Sequence, residues 1–157
     1  MMCDEMMSEA IAEARKAESF GEVPVGAIVE KDGKIISRGH NLTETLKDPT
    51  AHAEIIAIRN AAKELGGWRL LDCNLYVTCE PCAMCAGAIV LARINKLYIG
   101  TLDAKTGACG SVFNIIQEKN LNHYVEIETG IMQKECESMM KEFFKKRRKK
   151  KTEEFHI

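Results

Sequence analysis

Hydrophobic positions near the start of the chain recur at helical spacing. Between residues 6 and 18, Met7, Ile11 and Ala14 share one face, and the charged residues lie largely on the others. This pattern predicts an amphipathic first helix with a structural role.

Two short runs of β-forming residues follow, at residues 25–29 and 34–37. Between them lies Asp32-Gly33, and an Asp-Gly dipeptide favours the tight turn of a β-hairpin. The pattern therefore predicts two antiparallel strands.

The rest of the chain alternates between helical and strand patterns. Helices are predicted at residues 51–65, 81–93 and 133–146, and strands at residues 75–78, 96–101 and 125–129. Helices that alternate with strands favour helices on both faces of a sheet whose later strands are parallel. We therefore predict a single α/β domain over residues 1–157, built as a three-layer α/β/α sandwich around a five-stranded mixed sheet.

Composition supports one compact domain. The chain has 157 residues, of which 46% are hydrophobic and 29% are charged. Its longest nearly apolar run, residues 82–92, is far shorter than the roughly 20 residues of a membrane-spanning helix. The first ten residues carry acidic side chains and do not resemble a secretory signal. We therefore expect no transmembrane helix and a cytoplasmic protein.

Cysteine content and charge distribution add two further expectations. Seven cysteines are an odd number in a chain large enough to fold without disulfides, which favours reduced thiols or metal ligands. Residues 145–157 hold seven of the 22 basic residues and two of the 23 acidic ones, so a basic helix end or tail follows an acidic body. This segment fits either a contact with a polyanion or a solvated terminus.

Two short motifs carry residues with metal-binding chemistry. His52-Ala53-Glu54 opens one predicted helix, and Pro81-Cys82-Ala83-Met84-Cys85 opens another directly after a strand. An imidazole and two thiolates are three good zinc ligands, and three protein ligands leave the fourth position open for a water molecule. The two motifs therefore predict a catalytic zinc site made of His52, Cys82 and Cys85.

Glu54 lies beside this site but is two residues from His52, so the two side chains do not share one helix face. Glu54 is therefore poorly placed to bind the same ion. A carboxyl group next to an activated water can alternate as general base and general acid. We predict that role for Glu54.

Cys79 offers a competing interpretation. The spacing Cys79-x-x-Cys82-x-x-Cys85 allows Cys79 to close the metal site as a fourth ligand, which would give a structural zinc site without chemistry. Cys79 ends a predicted strand, and a closed site leaves Glu54 without a role. These two points favour the catalytic interpretation.

At these motifs the sequence resembles the cytidine deaminase superfamily and, within it, the bacterial tRNA-specific adenosine deaminases, the TadA family. The resemblance covers nearly the whole chain, including the runs 22–27, 48–54 and 103–107 and Phe143-Phe144 before the basic segment. It implies the cytidine deaminase type of fold, one Zn²⁺ per chain and a homodimer. The implied reaction converts the wobble adenosine of a tRNA anticodon stem-loop to inosine, by attack of water activated on zinc at C6.

The resemblance also implies roles for residues around the metal. It implies that Asn41 hydrogen-bonds the base, that the backbone of Ala53 contacts it, and that Glu80 and Pro81 shape the pocket. It places Asp103 near the backbone of the flipped nucleotide.

Further RNA contacts follow from general principles of single-strand recognition. Lys105 and the basic residues 145–151 are candidates for phosphate contacts, and Phe143 and Phe144 are candidates for base stacking. Each has an ordinary alternative, since the phenylalanines suit a core or dimer contact and the basic residues suit a solvated surface.

Two other functions remain open from the sequence. The same fold suits a deaminase of a free base or nucleoside, of the guanine or cytosine type, and a zinc-stabilised module suits RNA binding without catalysis. The roles of Cys79 and Cys109 are left open.

Overall fold

The computed structural model describes residues 2–155; the predicted elements occur in the predicted order, and helix α2 and a 3-10 turn are present in addition. They are α1 (Met2–Ser19), β1 (Gly26–Lys31), β2 (Lys34–His40), α2 (Thr43–Leu46), α3 (Ala53–Leu65), β3 (Asn74–Cys79), α4 (Ala83–Leu91), β4 (Lys96–Thr101), a 3-10 turn (Ile115–Gln117), β5 (Glu126–Thr129) and α5 (Gln133–Phe155). Within this range, none of the helices combines the length and the apolar composition that crossing a membrane requires.

The five strands form one mixed sheet in the order β2-β1-β3-β4-β5. Strand β1 pairs antiparallel with β2 and β3, whereas β4 pairs parallel with β3 and β5. The predicted mixed sheet with parallel later strands is confirmed.

Helices cover both faces of the sheet and complete the predicted three layers. Inward side chains alternate along the strands, so Ala27 and Val29 of β1 join the core under α3 and α4. Ile28 between them packs on the other face, with Tyr76 and the residues of α1 and α5. The α/β/α sandwich therefore has two cores, one on each side of the sheet.

The β1–β2 hairpin turns where the sequence predicts it. Asp32 and Gly33 have φ values of 52° and 80°, the left-handed pair that a two-residue hairpin turn requires. The turn sets the register in which Lys31 faces Lys34.

Gly39 sets how closely α3 approaches the sheet. A Cβ atom at this position would lie 2.5 Å from the carbonyl oxygen of Ala53 and 2.6 Å from the amide nitrogen of Ala57. The first two turns of α3 therefore rest on the backbone of β2. This contact places His52, at the start of α3, at one end of the sheet.

Helix α5 differs from its prediction. It was expected to end near residue 146, but it continues through the basic run to Phe155. Lysine and arginine are good helix formers, and neither glycine nor proline interrupts the segment, so its charge does not end the helix. The basic segment over residues 145–155 is thus a helix end, and the predicted tail beyond it, residues 156–157, lies outside the described part of the chain.

Candidate metal centre and active-site cleft

Two helix starts bring the predicted metal ligands together. His52 is the N-cap residue of α3, and Cys82 is the N-cap residue of α4, directly after β3. The Nδ1 atom of His52 lies 3.6 Å from Sγ of Cys82 and 3.4 Å from Sγ of Cys85. The ligand atoms of all three residues lie within 4.8 Å of one another. These three side chains converge on one point.

The chemistry of this donor set fits zinc. One imidazole nitrogen and two sulfur atoms are ligands that Zn²⁺ binds well, and three of them leave one tetrahedral position open. Within residues 2–155, the group of side chains close enough to share an ion contains neither Cys79 nor Glu54. The fourth ligand position is therefore not taken by a protein side chain of this described range, and Glu54 lies beside the site.

Electrostatics favour a thiolate in this group. The hydrogen bond with the Cys85 thiol, followed by the one with His52, lowers the pKa of Cys82 to about 3. The same contact with Cys82 raises the pKa of His52 above its ordinary value and, with burial, raises the pKa of Cys85. The Cys82 sulfur is therefore ionised at neutral pH, as metal binding requires.

Glu54 is buried at the second position of α3. Only 3% of its surface is exposed, and this burial raises the pKa of its carboxyl group from 4.5 to about 7. A carboxyl group with such a pKa exists in both protonation states near neutral pH. It is therefore suited to accept a proton and to donate one.

A cleft of about 1050 Å³ opens beside the metal group. Its walls come from the segment before β1, the segment after β2, the loop after β4 and one face of α5. Six of the eight residues predicted to contact substrate line it: Asn41, Ala53, Glu80, Asp103, Lys105 and Phe144.

The two other predicted contact residues, Pro81 and Phe143, do not line the cleft. Pro81 is buried, and its carbonyl oxygen accepts a hydrogen bond from the amide of Ala108 at 2.9 Å. Phe143 is half-buried and packs edge-on against Phe144, with ring centres 5.3 Å apart. The structure thus places Phe143 behind Phe144.

Asn41 lies in the wall next to α2. Its Nδ2 donates to the carbonyl oxygen of Val23 at 3.4 Å, and its Oδ1 accepts from the amide of Thr43 at 3.4 Å. The side chain is 7% exposed. It is therefore held between two segments of the cleft wall.

Asp103 folds the loop that carries Lys105. Its carboxylate accepts hydrogen bonds from the amides of Lys105 and Thr106 and from the Thr106 hydroxyl. Burial raises the pKa of Asp103, but these hydrogen bonds outweigh it and hold the pKa below its ordinary value. Asp103 is thus an anion at the cleft, and Lys105 is exposed beside it.

Sequence reasoning missed half of the α5 wall, namely Glu137, Met140 and Lys141. The helix presents a stripe to the cleft that consists of Glu137, Met140, Lys141, Phe144, Lys145 and Arg148. Their spacing of three and four residues is visible in the sequence as one helix face. That this face borders the metal group depends on how α5 packs beside β4, which spacing does not reveal.

Cys79 lies in the cleft wall, and Cys109 lies in the core beneath α4. Burial raises the pKa of the Cys79 thiol to about 12 and also raises that of Cys109. Both are therefore neutral thiols at physiological pH.

Comparison with known proteins identifies the family. The sequence matches the MafB19-like deaminases over residues 1–148. A tRNA-specific adenosine deaminase from Bacillus subtilis (strain 168) is 50% identical over 152 residues, which cover 96% of this chain and 94% of the relative. The chain belongs to the tRNA-specific adenosine deaminases. The family that the sequence resembles over nearly its whole length is confirmed.

Solved structures agree with this family. The structure from a study of A-to-I editing by tRNA:A34 deaminases at the wobble position of transfer RNA has a TM-score of 0.83 and 43% identity; the match covers 86% of this chain and 98% of that one. A guanine deaminase from Bacillus subtilis has a TM-score of 0.61 and 36% identity, over 76% of this chain and 82% of that one. The predicted cytidine deaminase type of fold is thus confirmed, and members of this fold differ in substrate.

Proposed function

We propose that this chain converts the wobble adenosine of a tRNA anticodon stem-loop to inosine by hydrolysis. The observation that carries the proposal is the convergence of His52, Cys82 and Cys85 beside buried Glu54. The chain also shares 50% sequence identity with a tRNA-specific adenosine deaminase. Water replaces the amino group at C6 of adenine, and ammonia leaves.

His52, Cys82 and Cys85 hold one Zn²⁺ ion in this proposal. When bound, zinc supplies the Lewis acidity that makes water nucleophilic near neutral pH. The chain itself contributes the ionised Cys82 sulfur and the start of α4, where unpaired backbone amides favour negative charge. These features prepare the site for a dication.

Glu54 moves the protons. As a carboxylate it accepts a proton from the attacking water and delivers it to ring nitrogen N1 of adenine. It then takes the second proton of that water, from the hydroxyl group now bonded to C6, and gives it to the amino group, which leaves as ammonia. Its pKa of about 7 supports both halves of this cycle. No other residue need change its charge.

The cleft walls suit a nucleotide of a polynucleotide. Asn41 and the backbone of Ala53 lie beside the metal group, where they can hydrogen-bond the base. Lys145 and Arg148 at the outer end of the α5 stripe can meet phosphates, and Phe144 can stack a neighbouring base. The long basic helix end favours an RNA substrate over a free base.

The reaction is tested by inosine formation in unmodified tRNA with a wobble adenosine, using zinc-loaded protein. Glu54→Gln is the control variant, since it keeps the size of the side chain and removes the proton carrier. Inosine from the wild type and a loss of 100-fold or more in the variant would support the proposal.

A guanine deaminase with 36% identity makes a free base the second candidate substrate. Guanine, cytosine and adenosine are therefore assayed in parallel. Turnover of one of them with no inosine in tRNA would replace the proposed substrate. If the protein binds zinc but converts neither tRNA nor any of these small substrates, the result would favour a non-catalytic RNA-binding module.

We also propose that the chain forms a homodimer through α4. Its residues, AMCAGAIVL, include no charged side chain, and a helix that is apolar on all sides is normally buried. Met84 and Leu91 are nevertheless exposed in the single chain, by 37% and 65%. Exposed Leu71 follows Leu70, whose amide donates to the carbonyl oxygen of Ala92 at the end of α4. We infer that this apolar surface is covered by α4 of a second copy of the chain.

The dimer is tested by light scattering after size-exclusion chromatography. Leu91→Lys should halve the measured mass. Phe20→Lys is the matched control, because Phe20 is 66% exposed but follows α1 on the opposite face of the sheet. A monomeric wild type, or equal effects of both variants, would contradict this interface.

A further inference from the structure

Two buried carboxylates lie in or next to the cleft wall without belonging to the metal group: Glu80 lines the cleft, and Glu22 precedes Val23, which lines it. Glu22 is fully buried and Glu80 is 4% exposed. Among the described residues, neither faces a lysine or arginine partner within ion-pair distance. Both are instead hydrogen-bonded to backbone amides of the cleft walls.

The hydrogen-bond acceptor sites of the Glu80 carboxylate are all occupied by donors from the loop after β4. Its Oε1 accepts from the amide of Asp103 at 3.0 Å and from the hydroxyl of Ser111. Its Oε2 accepts from the amides of Cys109 at 3.0 Å and Ser111 at 3.1 Å. A carboxylate offers about four lone-pair sites, so these four donors leave none for substrate.

Gly107 shows how closely this loop wraps the carboxylate. A Cβ atom at residue 107 would overlap the Glu80 carboxyl group. The loop from Asp103 to Ser111 is thus built around Glu80 and holds Asp103 at the cleft.

Glu22 accepts backbone hydrogen bonds in the same way, from α2 beside the Asn41 wall of the cleft. Its Oε1 accepts from the amide of Glu44 at 3.1 Å, and its Oε2 accepts from the amide of Thr45 at 2.7 Å. Burial raises the pKa of Glu22, but the hydrogen bonds from Thr45 and Glu44 outweigh it and keep the pKa below its ordinary value. The carboxylate therefore caps the start of α2 from a distant part of the chain.

Asn41 joins the segment that carries Glu22 to the start of α2. Its side chain bridges Val23, the neighbour of Glu22, and Thr43, the first residue of α2. Any shift of α2 away from Glu22 moves one of these two partners. The position of Asn41 thus depends on Glu22.

We propose that Glu22 and Glu80 are a pair of positioning residues, each of which holds one wall of the nucleotide cleft through backbone amides. Glu22 holds the Asn41 wall, and Glu80 holds the Asp103 wall. Neither touches substrate or transfers a proton. The inference rests on the proposed function, because these walls serve a nucleotide only if the cleft binds one.

Glutamine in place of either glutamate provides the test. It preserves the shape of the side chain but turns a donating NH₂ group toward backbone N–H groups that need an acceptor. The amides on that side lose their partner, and the wall is expected to open locally.

Amide hydrogen exchange measures that opening without any need for activity. Glu80→Gln should speed exchange by about tenfold or more either at Asp103 or at Cys109 and Ser111, whichever side faces the NH₂ group, and leave Glu44 and Thr45 unchanged. Glu22→Gln should speed exchange at Glu44 or Thr45 and leave the three amides beside Glu80 unchanged, so each variant is the control for the other. Equal exchange in all proteins, or faster exchange throughout the chain, would overturn the proposal.

Kinetics with tRNA separate positioning from proton transfer. Each variant should raise KM about tenfold and change kcat by less than about threefold, whereas loss of a proton-transferring group lowers kcat by 100-fold or more. A collapse of kcat at unchanged KM would overturn the proposal. If wild-type protein makes no inosine, the proposed function fails, and hydrogen exchange still decides whether the two carboxylates hold the walls.

A milder variant covers the case in which Glu80→Gln does not fold. Ser111→Ala removes only the hydroxyl donor to Glu80. It should speed exchange at the amides of Asp103 and Cys109 by a smaller factor and leave those of Glu44 and Thr45 unchanged. Unchanged exchange at Asp103 would count against the role of Glu80.

Discussion

The imidazole Nδ1 of His52 lies 3.4 Å from the sulfur of Cys85, although 33 positions separate the two residues in the chain. Two helices that start at the same end of one sheet create this contact. The chemistry of the site therefore depends on the packing of α3 and α4.

Metal binding should depend on His52 and not on Cys79. His52→Ala removes one of three ligands, so its zinc content should fall several-fold, whereas Cys79→Ala should keep one zinc per chain. Removal of zinc from wild-type protein by a chelator should lower Tm by about 5 to 10 °C if free zinc had exceeded Kd about 100-fold. Metal analysis and thermal unfolding check both expectations. Loss of zinc from Cys79→Ala would point to a closed four-ligand site.

The stability of metal-free protein should depend on pH through Glu54. Because burial raises the pKa of Glu54 from 4.5 to about 7, its contribution to stability is complete below pH 4.5 and is lost as the pH rises to about 7. The loss amounts to about 3 kcal/mol in the free energy of unfolding. Urea unfolding at pH 4.5 and pH 8 measures it as the difference between wild type and Glu54→Gln. A difference that does not change with pH would show that the carboxyl group has its ordinary pKa.

Gly39→Ala should destabilise the protein. The added Cβ meets the backbone of α3 at 2.5 to 2.6 Å, which forces the helix away from β2 and costs about 1 to 3 kcal/mol. Gly67→Ala is the control, since no atom lies within 4 Å of its Cβ position, and its effect should stay within about 0.5 kcal/mol. Urea unfolding compares the two variants. Because α3 carries His52, Gly39→Ala should also weaken zinc binding.

Arg148 and Lys149 should differ in their effect on tRNA binding. Arg148 lines the cleft, and its neighbour Lys149 does not. Arg148→Ala should therefore weaken tRNA binding and reduce the slope of log Kd against log salt concentration by about 1. Lys149→Ala should change neither quantity appreciably. Equal effects of the two variants would mean that the helix attracts RNA only by its total charge.

Much of the fold was predictable because local patterns agree with the tertiary structure. Asp32-Gly33 supplies the positive φ values of the hairpin, and Gly66 ends α3 in a left-handed conformation. Helix α2 was not predicted, since its four residues carry no periodic pattern. Its start is capped by Glu22, more than twenty positions earlier in the chain, and such a contact leaves no local signal.

The sequence by itself determined the three-layer fold and the set of residues with metal chemistry, because these follow from periodicity and from the spacing of His52, Glu54, Cys82 and Cys85. It also determined the family, because the sequence resembles that family over nearly its whole length. Only the tertiary structure decided which residues share the cleft. Phe144 lines it and Phe143 does not, since adjacent residues on a helix point in different directions and the packing of α5 selects one of them. Likewise, Glu80 is occupied by the amides of Asp103, Cys109 and Ser111, because a loop distant in the chain folds back onto it.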